Sequence, residues 1–268
     1  MYSILTLLFV FCSQSIAQKP NQIMWRPLKS DKEEKDSKKN IRNSYTAQEL
    51  FDEANRLLDK NQHTKALDNF TMLRNYFRDD PLSIEAELGI AEVYKDRGDY
   101  DLARFAFDDF RKLHPRHPKL DYVDYQIGLM QYQKSSKYSG RDQSWTQSAV
   151  AIWHNYENLY PNSTYKEEVL TIRDVAVDRL AKRELQIAIF YKKRKAWEAV
   201  RRRSEYLIRN YPDSTYKQQA LILLVEAYTW QNRDDDATLI IDTISTLSQE
   251  DAEDAKRKHL HIKNKRGS

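Results

Sequence analysis

Apolar and small side chains recur along the chain at spacings that suit pairs of packed α-helices. Small and aromatic residues precede Pro115 at fixed intervals, namely Ala91, Tyr94, Ala103, Phe107 and Phe110. Two alanines 12 positions apart allow two helices to cross closely, and the aromatic residues fill the volume beside that crossing. Pro115 ends the second helix, because proline lacks an amide N–H and clashes with the preceding turn. The pattern predicts a two-helix unit of about 34 residues.

This unit has the length of a tetratricopeptide (TPR) repeat, and it recurs with lower fidelity before and after Pro115. The third unit has a nine-residue insertion between its helices. Pattern positions of the other four units are Ala54, Leu57, Ala66, Phe70 and Leu73; Gly128, Ala149, Trp153, Tyr156 and Pro161; Ala188, Tyr191, Val200, Leu207 and Pro212; and Tyr228, Ala237, Ile241 and Ile244. We therefore predict an all-α, TPR-type helical solenoid of about five helix pairs, with a capping helix at about 250–263.

One heptapeptide occurs twice, as YPNSTYK at 160–166 and as YPDSTYK at 211–217. In both copies the proline is expected to end one helix. Asn162 or Asp213, with Ser163 or Ser214, is expected to cap the next helix by accepting its free N–H groups. The copies lie 51 residues apart, about 17 more than one repeat. The additional residues lack proline and glycine and predict a long central helix of roughly thirty residues within 166–193, or two helices in tandem.

The N-terminal region differs from the repeats. Residues 1–17, MYSILTLLFVFCSQSIA, carry no charged side chain and end in the small-x-small pattern Ser15-Ile16-Ala17. They predict a secretory signal peptide, although a buried N-terminal helix is an alternative. Residues 18–44 are rich in mixed charges and predict a flexible linker. The rest is expected to form an N-terminal TPR half at 45–160 with repeats 1–3, and a second part at 161–268 with the long helix, repeats 4–5 and the cap.

The candidate chemistry argues against an enzyme. Cys12 is the only cysteine, and cleavage after Ala17 would remove the sole thiol. The chain has no glycine-rich phosphate loop, and its acidic residues are scattered over helix surfaces. His259 and His261 point to different faces of a predicted helix, which disfavours a shared metal ion. We predict no catalytic residue, no cofactor and no metal site. The net charge of +4 permits acidic partners, and secretion disfavours nucleic acid as a ligand.

A basic stretch, KKRKAWEAVRRR at 192–203, contains seven basic residues and one acid. It covers the predicted turn of the fourth unit and the start of that unit's second helix. It is either a solvated edge of the solenoid or a docking patch for an acidic partner. The candidate docking residues are Lys193, Arg194, Arg201, Arg202, Arg203 and Glu205. Tyr122 and Tyr138 fit no core position, so they are candidates for lining a concave binding face.

With the repeats placed, the chain resembles a known family over residues 46–244. The specific stretches are HPRHPKLDYVDYQIGLMQY (114–132), RDQS (141–144), YPNSTY (160–165), DRLAK (178–182) and AWEAVRRRSEYLIRNYPDS (196–214). These stretches are similar to those of the BamD family, the TPR lipoproteins of the Gram-negative outer-membrane β-barrel assembly machine. The secretion signal and the long central helix agree with this resemblance.

The resemblance implies a function without catalysis. Members of the family act as periplasmic scaffolds at the outer membrane. They bind the periplasmic domains of the barrel insertase, chiefly through C-terminal repeats. Their N-terminal repeats help to receive unfolded outer-membrane protein segments, and other assembly lipoproteins are further possible partners. By position, Arg203 matches a family arginine at the insertase contact and is expected to pair with an acidic insertase residue. Arg203→Glu is therefore expected to weaken insertase binding and leave the fold intact.

One feature departs from the family pattern. The family usually has a lipidated cysteine near its N-terminus, but Val10 and Phe11 precede Cys12, where a small residue is expected. Either Cys12 is lipidated, or the protein is a soluble periplasmic member held by its partner. Because one acyl chain gives only marginal membrane binding, docking to a partner matters in both cases. A periplasmic TPR adaptor for cell-envelope synthesis remains the alternative function.

Overall fold

The computed structural model of the protein describes Asn40 and residues 44–267. The predicted signal peptide, Cys12 and most of the predicted linker lie outside the described residues. From residue 47 to residue 267 every regular element is an α-helix. In that part of the chain, no helix combines the length and the apolar character needed to cross a bilayer.

The helices follow one another with short connections. Their bounds are α1 (Ala47–Asp59), α2 (His63–Tyr76), α3 (Leu82–Asp96), α4 (Tyr100–Leu113), α5 (Leu120–Lys134), α6 (Ser144–Trp153), α7 (Tyr156–Leu159), α8 (Lys166–Lys193), α9 (Trp197–Asn210), α10 (Lys217–Trp230), α11 (Asp234–Ser245) and α12 (Gln249–Gly267).

Neighbouring helices form the pairs that the sequence pattern predicts. The pairs are α1–α2, α3–α4, α5 with α6 and α7, the C-terminal part of α8 with α9, and α10–α11, while α12 packs on the last pair. Pattern alanines such as Ala54, Ala66 and Ala103 are fully buried. The all-α, TPR-type solenoid is therefore confirmed, because small residues stand where helices approach most closely.

Gly128 shows how tightly the third pair is packed. A Cβ atom added to Gly128 would lie 2.2 Å from Cε2 of Trp153. Trp153 is fully buried, and its indole N–H donates to the carbonyl of Asp124 at 3.2 Å. Only a residue without a side chain leaves room for this indole, so the small position of the third repeat has to be glycine.

The long central helix is also confirmed. α8 is one continuous helix of 28 residues. Val169 in its N-terminal half packs in a cluster with Trp153 and Tyr156. Leu185 in its C-terminal half packs in a different cluster with Val200 and Leu207 of α9. One helix therefore contributes to the cores of both the third and the fourth pair.

The repeated heptapeptides have the same role at two joints, and that role is only partly the predicted one. The helices that follow have no cap from the side chain of Asn162 or Asp213, so this part of the prediction is wrong. The hydroxyls of Ser163 and Ser214 do accept from the backbone N–H two residues later, at 3.2 Å in both copies. In addition, Ser163 donates to Asp121 of α5 at 2.7 Å, and Ser214 donates to Asp178 of α8 at 2.6 Å. Each serine thus ties the joint to an earlier helix through a carboxylate.

Four of the turns between paired helices contain one residue with a left-handed backbone. The φ angles are 57° at Asn61, 83° at Gly98, 57° at Lys195 and 60° at Asn232. Glycine and asparagine adopt this conformation readily, whereas other residues are strained by about 1 kcal/mol or more. Lys195 is therefore the strained member of the set.

Candidate protein-docking surface

Arg201 is held by carboxylates of its own helix. Its Nη2 donates to Glu198 Oε1 at 2.7 Å and its Nη1 donates to Glu205 Oε1 at 2.8 Å. Hydrogen bonds from Arg201, and then from Arg202, lower the pKa of Glu198 to about 2. Glu205 also accepts a hydrogen bond from the Tyr228 hydroxyl at 2.8 Å. Arg201 and Glu205 therefore serve the packing of α9 on α10.

The next two arginines differ in what they can offer to a partner. Arg202 donates to Glu198 at 2.8 Å, and 73% of its side chain remains exposed. Arg203 donates from Nη1 to Glu184 Oε2 on α8 at 2.9 Å, with 43% of Arg203 and 11% of Glu184 exposed. The guanidinium of Arg203 thus neutralises a nearly buried carboxylate and still presents part of its edge to solvent.

Arg203 lines a groove between α8, α9 and the connection from α5 to α6. The groove has a volume of about 450 Å³, and we call its lining the Arg203 surface: Gly140, Arg183, Gln186, Ile187, Phe190, Tyr191 and Arg203. The Phe190 ring is 48% exposed. No carboxylate in the described part of the chain forms an ion pair with Arg183. Exposed aromatic rings beside arginines are typical of the residues that contribute most to protein interfaces.

The remaining candidates from the basic stretch lie at the end of α8. The Arg194 guanidinium carbon lies 3.5 Å from the centroid of the Phe190 ring, so this side chain extends the Arg203 surface through a cation–π contact. Lys193 is the last residue of α8, and its side chain is exposed on another face of that helix. The six candidate residues therefore do not form one patch.

The two candidate tyrosines lie in different surroundings. Tyr138 is 71% exposed, in the connection between α5 and α6, and borders a groove that shares Gly140 and Gln186 with the Arg203 surface. Tyr122 is partly buried beside Phe107 and Tyr165, and its hydroxyl accepts from Lys95 Nζ at 3.0 Å. Burial, followed by the charge of Glu92, raises the pKa of Tyr122 above its usual range.

Sequence reasoning missed two features of the site. Glu184, the internal partner of Arg203, lies 19 residues earlier on another helix, and nothing in the sequence pattern links the two. Trp230 at the end of α10 stacks on Trp197 at the start of α9, with ring centroids 5.3 Å apart and planes 10° apart. The available sequence signal was a tryptophan at the terminus of each helix.

Residues 43–238 match the family model described as YfiO, outer membrane lipoprotein. The chain belongs to this family. Similar relatives are the outer membrane protein assembly factors BamD of Neisseria meningitidis serogroup B and of Xylella fastidiosa. The Neisseria protein is 28% identical over 197 residues, which cover 70% of this chain and 74% of the relative. The Xylella protein is 27% identical over 208 residues, which cover 73% of this chain and 70% of the relative. The resemblance to the BamD family is therefore confirmed.

Two solved structures of TPR proteins are also similar to the chain. One from Parabacteroides merdae is 13% identical, covers 81% of this chain and 93% of its own, and has a TM-score of 0.36. One from Thermus thermophilus is 15% identical and has a TM-score of 0.35, and the match covers 81% of this chain and 98% of that protein. In this member of the YfiO family, the matched region ends within α11, so it includes the whole Arg203 surface.

Proposed function

We propose that this protein is a non-enzymatic scaffold for the assembly of outer-membrane β-barrel proteins. It acts at the periplasmic face of the outer membrane and docks there to the periplasmic domains of the barrel insertase. The observation that carries this proposal is the match of most of the folded repeats to the YfiO family, whose curated relatives are named outer membrane protein assembly factors.

The Arg203 surface is the proposed insertase contact. Arg203 and Arg183 offer positive charge beside the exposed ring of Phe190, so a complementary partner presents a carboxylate next to an apolar side chain. The ion pair with Glu184 gives Arg203 a fixed orientation before the partner arrives, which reduces the entropy lost on docking. Arg203 thus acts as a preorganised donor whose exposed edge remains available.

Unfolded outer-membrane protein segments are the proposed substrates. In the described structure, Tyr138 is better placed for this contact than Tyr122, because its ring is exposed beside a groove that also contains Arg179 and Lys182. Tyr122 is engaged by Lys95 and by aromatic neighbours. For Tyr122 to contact a substrate, its hydrogen bond with Lys95 and its aromatic contacts would have to break.

The direct test is purification of the tagged protein from its own envelope in a mild detergent, followed by mass spectrometry of what accompanies it. The proposal expects a β-barrel insertase with periplasmic repeat domains, with or without further assembly lipoproteins. Recovery of cell-wall or transport proteins without an insertase would contradict the proposal and favour an adaptor for cell-envelope synthesis. A tagged periplasmic protein of similar charge serves as the control for adventitious binding.

A further inference from the structure

A second groove lies at the C-terminal end of the solenoid, between α8, α10 and α12. Its volume is about 750 Å³, which lies in the range of ligand-binding clefts. The stacked rings of Trp197 and Trp230 form part of its lining. We call it the tryptophan groove, and apolar residues of three helices complete its walls, namely Leu185, Ile189, Ile222, Leu223 and Ile262.

The charge around this groove is positive. Its lining includes Lys192, Lys193, Lys195 and Lys258 but only one carboxylate, that of Glu226. Lys192 pairs with Glu226, and Lys258 pairs with Asp254 on α12 at 2.7 Å. Neither Lys193 nor Lys195 forms an ion pair with any residue in the part of the chain that the structure describes. The rim therefore carries two ammonium groups without an ion-pair partner among the described residues.

The backbone at Lys195 supplies an independent observation. The equivalent turn positions in three other pairs are occupied by asparagine or glycine, which tolerate a left-handed backbone, whereas this turn holds a lysine at φ 57°. A strained backbone conformation is a recurrent feature of functional sites. Here the strain accompanies a lysine on the rim of an apolar groove.

The tryptophan groove and the Arg203 surface use different sides of α8. Leu185 and Ile189 line the groove, whereas Arg183 and Ile187 line the Arg203 surface. Successive residues of an α-helix are rotated by about 100°, so residues two apart point in nearly opposite directions. The two sites can therefore be occupied independently.

We propose that the tryptophan groove binds a short acidic, amphipathic segment of a partner protein. Large apolar side chains of that segment would pack on Trp197 and Trp230, and carboxylates beside them would pair with Lys193 and Lys195. Tryptophan is strongly enriched among the residues that dominate binding energy. Helical grooves that receive the apolar face of a peptide are a recurrent mode of recognition.

A peptide fits this lining better than a lipid. The walls include the amide of Gln219 and the imidazole of His261, and burial without a hydrogen bond would be unfavourable for both groups. A peptide backbone offers donors and acceptors to them, whereas an acyl chain offers neither. The inference goes beyond the proposed insertase contact and depends on the proposed function only for the location of the protein in the envelope.

Photocrosslinking in intact cells tests this proposal. The full-length protein carries a photoreactive benzoylphenylalanine in place of Gln219, an exposed residue that lines the groove. A matched control carries the same group in place of Leu239 on α11, which is 65% exposed and lies outside the groove lining. After irradiation, mass spectrometry maps the crosslinked segment. The expected adduct at position 219 is a protein segment that contains both acidic and large apolar residues, and it is absent at position 239.

Charge reversal completes the test. Lys193→Glu combined with Lys195→Glu is expected to reduce the adduct by about tenfold. Both lysines are exposed, so circular dichroism should report an unchanged helix content. A lipid adduct alone, a segment without acidic residues, an adduct that is insensitive to charge reversal, or no adduct would each overturn the proposal.

Insertase recovery, measured in the same cells, separates this inference from the proposed function. If the insertase co-purifies normally and the adduct is missing, only the inference has failed. If the adduct forms and no insertase is recovered, only the proposed insertase contact has failed.

Discussion

Two groups of positive charge lie on either side of the start of α9, and they differ in how the fold uses them. Three consecutive arginines of α9 are paired inside the chain: Arg201 and Arg202 with Glu198, and Arg203 with Glu184. The lysines at the preceding turn, Lys193 and Lys195, have no such partner within the described residues. The basic stretch looks uniform in the sequence, but the structure separates it into a structural part and an available part.

The geometry of the two side chains explains this difference. A guanidinium presents several N–H donors in a plane and can hold two carboxylates at once, as Arg201 does. An ammonium on a flexible stem is strongly hydrated and gains little from an exposed ion pair. Arginine therefore suits ion pairs within the fold, whereas an unpaired lysine remains available to an external carboxylate.

The largest expected effect follows from reversing the charge of Arg203. Arg203→Glu would place two carboxylates together, one of them on the nearly buried Glu184. We expect the free energy of unfolding to fall by about 1–2 kcal/mol, because Glu184 then lacks its counter-charge. The variant is still expected to fold, but with lower stability. Urea unfolding followed by circular dichroism measures the change.

The control is the exchange of the two charges, Glu184→Arg with Arg203→Glu. It rebuilds an ion pair between α8 and α9 and should recover much of the lost stability. If the single and the double variant were equally unstable, the pairing of Arg203 with Glu184 would not be the cause.

A smaller effect is expected from Arg201→Gln. Loss of this guanidinium leaves the carboxylates of Glu198 and Glu205, which lie about two helical turns apart, without their shared partner. We expect the free energy of unfolding to fall by about 0.5–1 kcal/mol. The neighbouring Arg202→Gln, which alters a largely exposed side chain, is the matched control and should change stability by less than about 0.5 kcal/mol. Equal effects of the two substitutions in urea unfolding would contradict the structural role assigned to Arg201.

Lys195→Asn should raise stability rather than lower it. Asparagine occupies the left-handed position at two of the equivalent turns, so the substitution is expected to add about 0.5–1 kcal/mol to the free energy of unfolding. It should also weaken the crosslink in the tryptophan groove. Lys193→Asn is the comparison, because it removes a neighbouring charge without relieving strain. A thermal midpoint that falls for Lys195→Asn would contradict the account of this turn.

The smallest effect concerns pH and α12, which forms one wall of the tryptophan groove. His259 is buried, and its Nδ1 lies 2.8 Å from the hydroxyl oxygen of Thr229. Burial lowers the pKa of His259 below its usual value of 6.5. The charge of Asp234 opposes this shift, whereas the charges of Lys263 and Arg266 add to it. Because the unfolded chain binds the proton more readily, stability should fall as the pH drops below about 6.5.

The measurement is the thermal midpoint at pH values of about 7.5 and 5.5. His259→Gln should reduce the difference between the two midpoints. His261→Gln, on an exposed position of the same helix, should leave that difference as it is in the unaltered protein. If both variants retained the full difference, other groups would be responsible for the loss of stability in acid.

The repeat architecture could be predicted from the sequence because it depends on local spacing. Small residues such as Ala54 and Ala103 mark helix crossings, and an unbroken apolar periodicity marks α8 from residue 166 to residue 193. These signals lie within one repeat, so no knowledge of distant contacts is needed.

The details of the candidate site could not be predicted in the same way. The partner of Arg203 depends on the register of α9 against α8, and the stacking of Trp197 on Trp230 depends on how α9 meets α10. The heptapeptide serines also donate to Asp121 and Asp178 on earlier helices, and nothing in the local sequence indicates these partners. Such contacts join distant parts of the chain, which sequence periodicity does not describe.

The most direct test of the proposed docking is insertase recovery with the charge-exchanged variant, Glu184→Arg with Arg203→Glu. This variant keeps an internal ion pair and reverses the charge that the Arg203 surface presents, so it separates docking from folding. Arg203→Gln, which removes the charge without reversing it, is the second variant. Co-purification from the envelope should recover about tenfold less insertase with the exchange variant and an intermediate amount with Arg203→Gln. Recovery at the level of the unaltered protein from both folded variants would contradict the assignment of Arg203 to the insertase contact.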